Sequence, residues 1–449
     1  MTTFSCREQL NDGSLIEWLK ANWESIPFIA NSLHGQWDEL EKGIRALAPT
    51  KPLGGQRDEV MALWRSLVGR AIVFLKSKDE RETHHDDKDY GVERLDQFFR
   101  AFEHFEPVLW GAHERYRDHL THMLTVFLSG EKLIRSRLGF DCIKCSDDVL
   151  PPENRITADE KEAMWCLMAL THDLGIAMER VADINPKVGD MLRSFGVLDM
   201  QNISFPFRRL PVDDLVLQLM SSSITQHGHE AQQYLPHVQS KYFLKFAEAY
   251  ERRDHGIVSC LVLAKNLVFF LETDYSQDYN KPLDAKDAKQ FLIRQNILRA
   301  IASHSNLNIY YLTVPQFPFL LTLFDDMHEW ERPRFASMLD SRQPKMEVFL
   351  ERLTSTVIHY QVRFSVDTAA STTDAERKDY RDQVDKYFHD RVDKYYRILR
   401  SAVGTRSLEL VFEVEDCLQP VARRGRITHT NPENVNIVEL SDVTSGQQG

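Results

Sequence analysis

Apolar residues recur every three or four positions through most of the first 330 residues, and that spacing commits the chain to packed amphipathic helices. Residues 57–76 show it clearly: Val60, Leu63, Leu67 and Ile72 fall on one face. The same periodicity predicts helices within residues 15–48, 94–138, 241–250, 255–271, 284–303 and 319–330. Between them, residues 79–90, 142–155, 202–211, 226–237 and 273–282 read as loops or irregular chain. Thr157 with Glu160 three residues later forms a capping box. The helix it opens runs to about Asp173 and stops at Gly175.

After about Arg342 the pattern changes. Residues 355–366, 407–414 and 436–440 read as strands, and residues 374–403 as a charged helix with Val384, Tyr387, Val392, Tyr395 and Leu399 on or near one stripe. The tail from Ser441 is expected to fray. The expected fold class is therefore mainly α, a helical bundle with a small C-terminal α+β module. The expected divisions are an N-terminal helical region, 1–109, a central helical domain, 110–341, and the C-terminal module, 342–449.

A chain of 449 residues suits two or three domains of about 150 each. Its 55 Lys and Arg stand against 67 Asp and Glu, a net charge of −12, which argues against broad binding to nucleic acid or to anionic membranes. Six cysteines are too sparse for a disulfide framework and suggest a reducing compartment. Residues 257–271 are the best candidate for a membrane span, but Lys265 and Asn266 interrupt them and they fall short of the roughly 20 residues a bilayer needs. The first residues carry Arg7, Glu8 and Asp12 and no apolar run, so no export signal is expected. Location in the cytoplasm follows as the expectation.

Five places set His or Asp at helix ends or beside apolar runs. They are Asp118-His119-Leu120-Thr121-His122, His172-Asp173, Asp254-His255-Gly256, Ser303-His304, and Asp325-Asp326. Imidazole and carboxylate are the usual ligands of divalent transition metals. In a His-Asp dipeptide, one ion can take both side chains, or the carboxylate can bridge two ions.

This order resembles the HD-domain metal-dependent phosphohydrolase superfamily. The blocks Thr171-His172-Asp173-Leu174-Gly175, Asp254-His255-Gly256-Ile257-Val258-Ser259, Arg299-Ala300-Ile301-Ala302-Ser303-His304 and Phe324-Asp325-Asp326-Met327-His328 are similar to those of a bacterial branch of it, over residues 110–333. The resemblance implies an HD-domain helical bundle with His119, His172, Asp173 and Asp325 as core ligands. It places His255 and His304 where two-metal relatives carry further ligands. Asp325 is preferred to Asp326 because it directly follows the apolar run 320–324. Ile176 stands where the cyclic-dinucleotide branch has Lys, and no Gly-Tyr-Pro follows, which argues against that substrate.

The implied cofactor is one or two divalent ions among Mn, Mg, Fe, Zn, Co and Ni. The implied reaction is hydrolysis of a nucleotide or related phosphoester by metal-activated water. Asp173 would serve the chemistry as well as the metal. His122, on the same helix face as His119, is the candidate proton donor to the leaving oxygen. Arg115, Arg117, Arg299 and Arg332 are the phosphate-clamping candidates, with Arg294 and Arg334 behind them. The expected partner is a phosphorylated small molecule, with self-association left open. The competing expectations are a sensing or scaffolding HD protein without turnover and a di-iron oxygenase on the same ligands. Cys142-x-x-Cys145 lacks a second pair for a zinc site, and His227-Gly228-His229 reads as exposed loop.

Overall fold

The computed structural model describes residues 8–30, 37–77, 91–112, 118–193, 210–227, 233–271, 281–306, 308–309, 315–330, 345–365, 374–399, 408–416, 419–431 and 434–444. These residues are mostly helical, with a small sheet module near the C-terminus. The N-terminal region comprises β1 (Glu8–Leu10), α1 (Asp12–Asn22), α2 (Pro27–Ala30), α3 (Trp37–Ala46), α4 (Arg57–Ser77) and α5 (Val92–Ala112). Next come α6 (His119–Leu133), α7 (Ala158–Thr171), α8 (Ile176–Arg193) and α9 (Pro211–Ser221), then a hairpin of β2 (Ser222–His227) and β3 (Gln233–Val238). The helical part closes with α10 (Ser240–Glu251), α11 (His255–Asn266), α12 (Val268–Leu271), α13 (Ala285–His304) and α14 (Phe317–Met327).

Helix α7 lies at the centre. Every residue from Glu160 to Thr171 is buried, and the helix packs against α4, α6 and α13. Its starting point is the capping box read from sequence: Thr157 accepts from the Glu160 backbone N–H, and Glu160 accepts in return from the Thr157 N–H at 2.8 Å. Two indoles tie it to its neighbours, Trp64 donating to the Leu170 carbonyl at 2.6 Å and Trp165 to that of Phe127 at 3.1 Å. Gly130 is what lets α6 approach: a methyl there would run into the Trp165 ring.

The sheet module contains β4 (Lys345–Leu353), β5 (Val357–Ser365), α15 (Asp374–Leu399), β6 (Leu408–Asp416), β7 (Gln419–Asn431) and β8 (Asn434–Thr444). Strand order is β1-β4-β5-β6-β7-β8, antiparallel except for β5 and β6, which run parallel with α15 between them in sequence. Val384, Phe388, Val392 and Tyr395 of α15 are buried, and the Tyr395 and Tyr360 hydroxyls meet at 2.7 Å.

Several expectations are corrected. Residues 226–237 are not irregular throughout: Ser222–His227 pairs with Gln233–Val238, and their backbone groups satisfy each other along the hairpin. Residues 255–271 break at Leu267, whose extended backbone separates α11 from α12. Strands β1, β4 and β7 were not expected, and the tail from Ser441 continues β8 as far as Thr444. β1, in the expected N-terminal region, pairs with β4 of the C-terminal module from Glu8↔Leu350 to Leu10↔Val348. The loop reading at 79–90 lies outside the described residues, as does most of 202–211 and of 273–282.

Candidate metal centre

The ligand-type side chains are delivered by helix ends. Asp118 caps α6, accepting from the Thr121 N–H at 3.1 Å, and so fixes His119 at the first position and His122 one turn in. His172 caps α7 with helical backbone, and Asp173 follows in the turn. Asp254 caps α11, which begins at His255, while His304 is the last residue of α13. Asp325 lies two residues before the end of α14.

These ends converge on Asp173. Its Oδ2 lies 3.5 Å from His122 Nε2 and 3.4 Å from His172 Nε2. Its Oδ1 lies 3.6 Å from His255 Nε2 and 3.4 Å from His304 Nε2. Asp325 Oδ1 completes the first side, 2.8 Å from His122 Nε2 and 3.9 Å from His172 Nε2. Two groups that can hold a metal ion thus share one carboxylate: His122, His172 and Asp173, and Asp173, His255 and His304, each with ligand atoms within 4.8 Å of one another.

The other ring nitrogens are committed elsewhere. His172 Nδ1 meets the Ala169 carbonyl at 2.9 Å and His304 Nδ1 that of Ile301 at 2.6 Å, so each donates there and presents a lone pair at Nε2. His255 Nδ1 meets Glu179 Oε2 at 2.6 Å, and that oxygen also accepts the His255 backbone N–H at 3.0 Å. His122 Nδ1 contacts His328 Nδ1 at 2.8 Å. This is the arrangement that orients imidazoles for metal binding. A further sign is His172 Nε2, buried and without a hydrogen bond. Imidazole nitrogens with carboxylate oxygens are a donor set suited to divalent transition metals, so the residues fit such ions.

The electrostatics differ from ring to ring, and against its burial His172 is pushed up by Asp173 and Asp325. Burial opposes ionisation of Asp173, yet His172, His304 and His119 hold it well below the usual carboxylate range. Asp325 is likewise held low against burial, by His122 and His172. Burial pushes the His122 imidazole down despite Asp325 and Asp173, which favours the neutral ring a metal needs. His255, by contrast, is pushed up to about 9, because Glu179 and Asp173 outweigh its burial.

Of the two histidines of α6, His122 stands in a group of ligand atoms that could hold a metal ion, and the His119 ring centroid lies 6.4 Å from that of His122. His119 is held by Glu106 on α5: its Oε1 accepts the His119 backbone N–H at 2.7 Å and lies 3.4 Å from His119 Nδ1. Burial works against the Glu106 charge, but His119 and Arg57 hold its carboxyl below the usual range. Asp325 is the member of its pair that faces the histidines; Asp326 turns the other way.

Arg299, one of the phosphate-clamping candidates, is half-buried against α9 and β2, donating to the Met220 carbonyl at 2.8 Å and to that of Ser222 at 2.5 Å, and desolvation pulls its pKa down to about 10. Arg294 is also enclosed, donating to the Phe269 carbonyl at 2.6 Å. Arg115, Arg117, Arg332 and Arg334 lie outside the described residues. Cys142 is exposed and Cys145 buried, and neither thiol belongs to a group of ligand atoms among the described residues. His227 ends β2, while Gly228 and His229 lie outside the described residues.

Glu106, Glu179 and His328 were not singled out from sequence. His328 sits three residues after Asp325, a spacing that shares a face, and was legible in principle. Glu179 and Glu106 meet their histidines only through packing of separate helices, which no local pattern signals. Among the described residues no helix is long and apolar enough to cross a membrane. Comparison with protein-family models, curated proteins and solved structures finds no match at any of the three.

Proposed function

We propose that the chain is a metal-dependent phosphohydrolase that acts on a nucleotide or related phosphoester. The observation that carries this reading is Asp173, whose two oxygens face two different histidine pairs. Four imidazoles among the donors favour Mn, Fe, Co, Ni or Zn over Mg, which prefers oxygen ligands. When bound, such ions supply Lewis acidity, which turns water into a nucleophile near neutral pH and polarises a phosphoryl oxygen.

The chain's own residues do the rest. Asp173 holds both histidine pairs in one register. Asp325 with His122 and His172 completes the first group, and Glu179 fixes the His255 ring. His119 takes the proton-donor role expected of His122, because both nitrogens of His122 are engaged, at His328 and at Asp325. Glu106, whose Oε1 accepts the His119 backbone N–H and lies 3.4 Å from Nδ1, holds the ring in place for that transfer.

The test is a screen of metal-reconstituted protein against nucleotides and phosphomonoesters, following release of phosphate or nucleoside. Asp173→Asn should cut turnover by at least about a thousandfold, since the one carboxylate shared by both groups loses its charge, while circular dichroism stays helical. Metal-loaded wild type without turnover on any phosphoester, or Asp173→Asn with wild-type turnover, overturns the proposal.

A further inference from the structure

The segment after the ligand Asp325 has two faces. Asp325 and His328 turn to His122, while Asp326 and Glu329 turn to α15 in the C-terminal module. There Arg391 forms ion pairs with both Asp326 and Glu329, and Lys394 Nζ lies 2.6 Å from Asp326 Oδ1. The two carboxylates are nearly enclosed, with side chains 5% and 1% exposed. Arg391 and Lys394 therefore set cations against two carboxylates held away from water. Burial opposes the Arg391 charge as well, but Asp326, Tyr387 and Glu329 hold its pKa well above the ordinary value. The segment is fixed from a third side by Asp12 of α1, whose Oδ1 accepts the Trp330 indole N–H at 3.0 Å.

From this geometry we infer that Arg391 and Lys394 are positioning residues for the metal group containing Asp325 and His122, so that the C-terminal module sets the affinity of that group and not of the His255–His304 group. The inference rests on the metal-binding reading of the cluster. A buried carboxylate stripped of its cation is strongly unfavourable. Without Arg391, Asp326 and Glu329 turn toward water, and the last turn of α14 moves with them. Asp325 precedes Asp326 directly, and His328 precedes Glu329, so the ligand and the residue that orients His122 shift together. His255 and His304 sit on α11 and α13, and among the described residues neither is followed by an ion pair to α15. A guanidinium can span two carboxylates that an ammonium cannot span, which makes Arg391→Lys a partial replacement.

The experiment titrates chelator-treated full-length protein with cobalt(II), followed by calorimetry and by the visible absorption of the bound ion. His122→Ala and His304→Ala identify which binding event belongs to which group. Arg391→Ala should weaken the event lost in His122→Ala by about tenfold or more and alter its absorption band. The event lost in His304→Ala should keep its affinity, and Arg391→Lys should restore part of the loss. Should Arg391→Ala fail to fold by circular dichroism, Lys394→Met carries the same comparison with a smaller weakening. The inference is overturned by unchanged affinity of the His122 event, by equal weakening of both events, or by a single bound ion that survives His122→Ala. Wild type that binds no cobalt(II) removes the metal reading itself, and the inference with it.

Discussion

His119 and His122 are three residues apart on one helix, and their surroundings give them different work. His122 is buried between Asp325 and His328, with Asp173 Oδ2 at 3.5 Å. His119 is held by Glu106, itself anchored by Arg57, which also pairs with Glu103 at 3.0 Å and Asp118 at 2.7 Å. A metal ligand and a proton donor fail differently when removed. His122→Gln should lower bound metal and turnover together. His119→Gln should keep the metal and lose about a hundredfold or more in kcat, with KM little changed. Metal analysis beside steady-state kinetics on the two variants checks this, and the reverse pattern would return His119 to the ligand set. Glu106→Gln should follow His119→Gln in direction with a smaller loss, because it orients the ring without touching substrate.

Between elements, a close junction beside the ligand groups is Gly175. Its backbone N–H donates to Ser259 Oγ at 2.8 Å, and a Cβ added there would meet the Ser259 nitrogen and Val258 Cβ at 2.7 Å. That close approach brings α11, and so His255, up to Asp173. Gly175→Ala should cost about 1–3 kcal/mol through overpacking and push α11 outward. The His255–His304 group should lose metal affinity more than the His122 group does, as a melting curve and a metal titration on the same variant will report. This glycine was legible in sequence only as a helix stop, because its partner lies 84 residues away. The same limit explains the strands. Thr157, Glu160 and the 3.6-residue period announce helices locally, and α7 follows them. β1 is three residues whose partner, β4, lies over three hundred residues on, and nothing in Glu8-Gln9-Leu10 names it. The histidines and aspartates that cluster were legible as candidates because each sits in a short block at a helix end. Which of His119 and His122 faces Asp173 was not, since i,i+3 spacing shares a face and the packing of α5 decides between them.

Over the whole molecule, the ligand groups draw on residues from His122 to Asp325, and segments of the N-terminal region and of the C-terminal module are tied to that assembly. β1 forms an edge of the C-terminal sheet, Asp12 holds Trp330, and α15 holds Asp326 and Glu329. A site assembled from segments this distant exists only in the folded chain, so metal bound there stabilises folding as a whole. One ion at a hundred times its dissociation constant contributes about 2.7 kcal/mol, which should raise the melting temperature of a chain this long by a few degrees. Calorimetric melting of chelated and reconstituted protein measures it, and Asp173→Asn should abolish most of the increment because it removes the carboxylate common to both groups. A chain ending near residue 342 loses Arg391 and Lys394 and leaves β1 without its partner strand. Its metal-dependent increment should fall below that of the intact chain even where its helical content persists. An increment equal to that of the full chain would mean that the sheet module leaves the metal centre untouched and that the contacts of α15 with Asp326 and Glu329 are energetically idle.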